Sequence, residues 1–231
     1  MKPQRSIVLI PLLYVIVIIF VNLISFPLYE MLDIEDDTLR LVRLGSITNL
    51  LFYLSLTILY IVLFLPAWKR TFAHFKKHLA NTTAIIVLGV IGMFVMMIAM
   101  GILYSIIGVV EQPENQVILE MQLTGPMFDR IGLVLFAVLL APFVEEVMFR
   151  LAAFRLLKHI PGIPIWIVIL LSSLLFGSIH VLGDDWIQIL YYAGLGIILG
   201  FIYHKSNNII APIAVHMVFN AFVTITMFIG I

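Results

Sequence analysis

The chain has 231 residues, 63% of them hydrophobic and only 11% charged, with a mean hydropathy of +1.16. Soluble domains are about one-quarter charged, so this composition is that of a polytopic membrane protein. A formal net charge of zero offers no basic surface to nucleic acid, and the lack of cysteine excludes thiolate nucleophiles, thiolate metal sites and disulfides.

A span needs about 20 largely apolar residues. The first candidate covers residues 6–26, after the basic start Met1-Lys2-Pro3-Gln4-Arg5. It contains no small-residue cleavage site, so it reads as a retained span and not as a signal peptide. An acidic connection follows, with Glu30, Asp33, Glu35, Asp36 and Asp37. The second span, 44–66, ends in the most basic segment of the chain, 68–78. The third, 83–110, leads into a polar connection at 111–130, in which 117–123 reads as a short interfacial helix. The fourth covers 131–157, the fifth 165–181, the sixth 187–203, and the seventh runs from 209 to the last residue.

The expected fold is all-α, a polytopic transmembrane bundle of seven spans, or eight if one stretch hides a broken helix. Lys2 with Arg5, the 68–78 segment, Arg155 with Lys158, and Lys205 fall on one side. The acidic connections at 30–37, 111–120 and 184–185 fall on the other, which places the N-terminus in the cytoplasm. Gly194, Gly196 and Gly200 give the sixth span a small-residue face for close helix contact.

The fourth span holds Ala141-Pro142-Phe143-Val144-Glu145-Glu146-Val147-Met148-Phe149-Arg150. A charge at the centre of a span costs about 2.5–3.5 kcal/mol, so three cost on the order of 8–10, against about 0.3–0.6 returned by each Leu, Ile, Val or Phe. These groups must be paired, neutralised or turned toward a wet cavity. Glu146 and Arg150 share a face at i, i+4 and can pair. Glu145 points about 100° away and is left free to serve as a general base.

Later spans add Phe176 and His180, again at i, i+4, and then His216 and Asn220 at the same spacing. A carboxylate and a neutral imidazole can hold and deprotonate a water, and a second imidazole with an amide N–H can stabilise an oxyanion. Metal is the competing assignment, since Glu145, His180 and His216 would make a His₂Glu zinc site. Spacing does not choose between them. The chain has no His-Glu-x-x-His and no Gly-x-Ser-x-Gly, which argues against a zincin helix and a serine elbow.

Three motifs in order, Glu145-Glu146-x-x-x-Arg150, Phe176-x-x-x-His180 and His216-x-x-x-Asn220, resemble the CPBP family of intramembrane proteases. That family includes the type II CAAX prenyl endopeptidases and the bacteriocin-processing and self-immunity proteins of bacteria. Ala141-Pro142 and Ala211-Pro212-Ile213 agree as flanks, and the resemblance covers about residues 131–226. It implies a catalytic bundle at 131–231, with 1–130 as membrane helices that carry no recognised motif. It implies Glu145 and His180 as the water-activating pair, His216 and Asn220 as the oxyanion side, and Glu146, Arg150 and Phe176 as support. A metal has been argued both ways for the family; no cofactor is favoured here and zinc stays open. The implied partners are the lipid bilayer and a peptide or protein substrate, lipid-modified in the eukaryotic members.

The reading that results is an intramembrane endopeptidase. Its alternative is a non-proteolytic membrane binding or scaffold protein that uses the same cavity for a peptide or lipid. Straight helices would put His180 near the outer end of its span and His216 in the inner half of its own, so convergence needs broken or offset helices. The shared cavity is expected to open toward the basic, cytoplasmic side.

Overall fold

The computed structural model describes residues 3–31, 38–109, 114–181 and 186–229. Lys2, Asp33, Glu35, Asp36, Asp37, Glu111, Asp184 and Asp185 lie outside the described residues, and so do the side chains of Arg5 and Glu30. Among the described residues the chain forms nine helices and no strand. They are α1 (Pro3–Met31), α2 (Thr38–Leu63), α3 (Leu65–Lys77), α4 (Leu79–Ile107), α5 (Glu114–Leu123), α6 (Met127–Lys158), α7 (Ile165–Ser178), α8 (Ile189–Ser206) and α9 (Ile210–Ile229).

Six of these are long and apolar enough to cross a membrane: α1, α2, α4, α6, α8 with its leading turn, and α9. Their outward faces are apolar, with Phe20, Leu23, Leu88, Val95 and Ile106 all exposed. The chain is therefore a multi-pass helical bundle. The seventh apolar helix, α7, has only 14 residues. At 1.5 Å per residue it spans about 21 Å, well short of the roughly 30 Å hydrocarbon layer. It starts after Pro164 at the basic end of the bundle and stops partway across.

Helix α6 is continuous but not uniform. Two π-helical stretches, Leu135–Leu140 and Val147–Ala153, flank one α-helical piece, Ala141–Glu146. Pro142 supplies a local cause. Proline has no N–H, so a carbonyl one turn earlier loses its partner. The Ala141 N–H bonds to Phe136 O, five residues back, so in this register the orphaned carbonyl is that of Ala137.

The glycines of α8 allow close approach in two directions. A Cβ on Gly196 would lie 3.1 Å from Ser173 Cα and 3.2 Å from Phe176, and one on Gly200 would lie 3.3 Å from Ile169, all on α7. One on Gly194 would meet Met96 of α4 at 3.1 Å. The basic segment at 68–78 belongs to the amphipathic helix α3. Leu65, Trp68, Phe72 and Phe75 recur every three or four residues along it, which is helical periodicity.

Candidate active site

Three elements bring the site together at one depth. The α-helical piece of α6 supplies Glu145 and Glu146, the turn that ends α7 supplies His180, and α9 supplies His216 and Asn220. Because α7 stops short, His180 lies within the bundle and reaches Glu145: His180 Nε2 is 3.6 Å from Glu145 Oε2. His216 Nε2 lies 3.9 Å from the same oxygen. Glu145 is 5% exposed and His216 4%, so these groups meet in a shielded space.

Hydrogen-bond polarity defines what that space needs. His180 Nδ1 is 2.9 Å from Phe176 O, and a carbonyl only accepts, so Nδ1 carries the proton. In the neutral ring, His180 Nε2 then presents a lone pair to Glu145. His216 Nδ1 is 3.1 Å from Glu146 Oε1, a carboxylate already paired with Arg150, so it too is the donor. Neutral His216 therefore also turns a lone pair toward Glu145. Three acceptors face one another, and the space between them calls for a hydrogen donor, an added proton or a cation.

Glu146 and Arg150 pair as their spacing implied, with Arg150 Nε 3.1 Å from Glu146 Oε2 and both side chains fully buried. Arg150 Nη2 also donates to Gly196 O at 3.2 Å, and the guanidinium stands 5.3 Å from the centre of the Phe176 ring. Phe176 in turn contacts the His180 ring at 4.6 Å and the His216 ring at 5.7 Å. Glu146 thus links the buried cation to His216, a connection that i, i+4 spacing does not reveal.

Asn220 has a second engagement. Its amide donates to Ala137 O at 2.8 Å, the carbonyl that Pro142 leaves without a helical partner. One of its two amide hydrogens is committed there, and the other is left for a ligand.

Glu145, His180, His216 and Asn220 all line one cavity of about 440 Å³, within the range usual for ligand sites. Sequence reasoning missed several of its walls. Tyr53 of α2 donates its hydroxyl to Glu145 Oε1 at 3.4 Å, and Tyr192 of α8 stacks on His180 at 4.6 Å with the rings 22° apart. A tyrosine inside a span was the only signal for either, and it has no spacing to decode. Helix α5, expected as a short interfacial helix, adds Gln116, Ile118, Leu119 and Gln122 to the cavity lining.

The cavity lies toward the end opposite to the one expected to hold its opening. Its lining comes from the C-terminal parts of α7 and α9, the N-terminal part of α8, and α5. The basic groups of α3, the α6–α7 turn and the α8–α9 turn sit at the other end. The expectation followed the basic ends of the fourth and seventh spans, but the lining draws on the first half of the fourth and the later part of the seventh.

Among the described residues no group of three or more His, Asp or Glu side chains is disposed to hold a metal ion. The Nε2-to-Oε2 separations of 3.6 and 3.9 Å exceed the edge of a zinc tetrahedron, about 3.3–3.4 Å for bonds of 2.0–2.1 Å. As arranged, the ligand atoms stand a few tenths of an ångström wider than that edge.

Residues 127–222 match the family model described as Type II CAAX prenyl endopeptidase Rce1-like. This segment contains all three motifs, so the resemblance read from them is borne out. The chain is also similar to a Bacillus subtilis (strain 168) protein named “Putative membrane peptidase YdiL”, with 29% identity over 136 residues. That alignment covers 58% of this chain and 52% of the relative, so the matched region is about half of the curated relative's length. No solved structure matches the chain.

Proposed function

We propose that this chain is an intramembrane endopeptidase that hydrolyses a peptide bond of a membrane-associated peptide or protein. One observation carries the reading. Glu145 Oε2 and His180 Nε2 face each other as acceptors in a shielded cavity, a pair that a water molecule satisfies with its two hydrogens, and His216 Nε2 stands 3.9 Å from the same carboxylate oxygen. Bound in that way, the water turns an oxygen lone pair toward a substrate carbonyl.

In this mechanism Glu145 removes the water proton as the oxygen attacks the carbonyl carbon, and His180 holds the water in line. The resulting oxyanion is met by the free amide hydrogen of Asn220 and by His216. For His216 to donate from Nε2 it must carry a second proton. Charge counting is consistent with that form: Glu145, Glu146 and Arg150 sum to −1, and one proton on His216 brings the buried set to zero. Glu145 then returns its proton to the leaving amine as the C–N bond breaks. Residues 131–231 supply this chemistry, and the earlier helices supply walls and the Tyr53 hydroxyl.

The basic end, placed in the cytoplasm by its positive charge, puts the N-terminus there and the cavity nearer the opposite leaflet. The reading is tested by mass spectrometry of cleavage products on membranes carrying the chain or its Glu145→Ala copy. Products that depend on Glu145 support it. Identical peptide profiles, with both proteins folded and present, favour the binding or scaffold reading instead.

A further inference from the structure

We propose that α3 is a binding site for the headgroups of anionic phospholipids. The helix is basic with nothing to balance it: Lys69, Arg70, Lys76 and Lys77 are all exposed, and none forms an ion pair among the described residues. The sequence contains no Asp or Glu between residues 38 and 110, so no neighbour in the chain supplies a counter-charge.

A solvated basic face alone would not specify a membrane. The second observation is an apolar stripe beside it. Leu65 and Phe72 stand seven residues apart on α3 and are 46 and 52% exposed, and Leu79, which opens α4 after the non-helical His78, is 52% exposed. Lys69 and Lys76 run parallel to that stripe, about 40° further round the helix. Water would not favour the exposed Phe72, and a hydrocarbon core would not favour four cations. Both are satisfied when the helix lies in the interface, with the stripe among acyl chains and the lysines reaching up to phosphates.

The remaining face holds α3 in that pose. Trp68 is buried, donates its ring N–H to Tyr60 O at 3.0 Å and packs on Phe143 of α6 at 5.2 Å. Asn208, in the α8–α9 turn, donates to Thr71 O at 3.2 Å. The stripe is thus held sideways to the bundle and is left for lipid. Charge complementarity selects the anionic kind, since cations near a membrane surface draw acidic lipids to it.

Trp68 also provides the readout. In a Trp166→Phe/Trp186→Phe chain it is the sole tryptophan of the original three. Its fluorescence is titrated in phosphatidylcholine vesicles with acyl-dibrominated phosphatidylglycerol, and separately with dibrominated phosphatidylcholine. Half-quenching is expected at roughly tenfold lower mole fraction of the anionic lipid. Lys69→Gln/Arg70→Gln/Lys76→Gln/Lys77→Gln should make the two curves coincide, whereas the charge-preserving Lys69→Arg/Arg70→Lys/Lys76→Arg/Lys77→Arg should keep them apart. Removing charge at the same end but outside α3, with Lys158→Gln/Lys205→Gln, should also leave the preference intact. Coincident curves for the starting chain, a preference that survives the four-glutamine variant, or equal loss in the Lys158/Lys205 variant would each overturn the assignment.

Discussion

His180 Nε2 faces Glu145 Oε2 at 3.6 Å, and in the neutral state neither atom has a hydrogen to give the other. The gap is too long for a direct hydrogen bond and suits a bridging water. Glu145→Gln changes this at almost constant volume. The new amide can donate to His180 directly and close the gap, and it cannot accept the water proton. Cleavage should fall to background while the folded yield, read by size-exclusion chromatography, stays near that of the unsubstituted chain.

Glu146→Gln and Arg150→Met should act in the opposite sense. Both side chains are fully buried, and each substitution strands the other partner in a low-dielectric site. Breaking a buried pair costs about 3–5 kcal/mol, so membrane-extracted folded protein should drop sharply for both. If Glu146→Gln kept full yield and lost activity while Glu145→Gln stayed active, the roles of the two acids would be reversed.

Asn220 separates a structural from a chemical contribution. Asn220→Ala removes the donor to Ala137 O, a carbonyl that Pro142 has already deprived of its helical partner. An unsatisfied buried acceptor costs about 1–3 kcal/mol, so a thermal melt should move down along with activity. An unchanged melt with lost cleavage would mean that Asn220 serves the oxyanion alone.

Tyr53→Phe tests a residue outside every motif. The ring keeps its edge contacts with Phe52 and Phe136 at 5.1 and 5.0 Å, so packing is retained. The hydroxyl is lost, and with it the bond donated to Glu145 Oε1 and the side-chain hydrogen bond with Tyr14. A hydrogen bond to a charged group contributes about 1.5–3 kcal/mol. A fall in kcat of about tenfold or more is expected with KM little changed, because the hydroxyl positions the base. A fall in folded yield with kcat intact would make Tyr53 structural only.

What was legible in the sequence follows from which constraints are local. The Glu146–Arg150 pair needs only i, i+4 geometry, and it forms at 3.1 Å even though Arg150 lies in a π-helical stretch. The apolar runs predicted the long helices because hydrocarbon thickness sets their length. The depth of His180 was hidden, since the apolar run continues to Val181 although the helix ends at Ser178. Pro142 removes one helical hydrogen bond whatever the packing, but the sequence does not say whether Val138 or Ala137 is orphaned; the α and π registers differ by one residue, and tertiary packing chooses. Tyr53 and α5 reach the site only through the packing of α2 and of the 114–126 connection, which no spacing rule encodes.

A final prediction separates two glycines of similar sequence context. Gly101 of α4 has nothing within 4 Å of an added Cβ, so Gly101→Ala meets open space and only lowers backbone entropy. It should stabilise the chain by about 0.5–1 kcal/mol. Gly196 is different on both sides of its peptide. An added Cβ would sit 3.1 Å from Ser173 Cα and 3.2 Å from Phe176, and its carbonyl receives Arg150 Nη2. Backbone at Ser173 cannot swing aside as a flexible side chain would, so Gly196→Ala must push α7 away from α8. That shift moves Phe176, the carbonyl partner of His180 Nδ1, and widens the 3.6 Å separation of His180 Nε2 from Glu145 Oε2. The Gly196→Ala protein should melt lower and lose most of its cleavage, while Gly101→Ala keeps full activity. Equal behaviour of the two variants would mean that α7 is not held in place through Gly196.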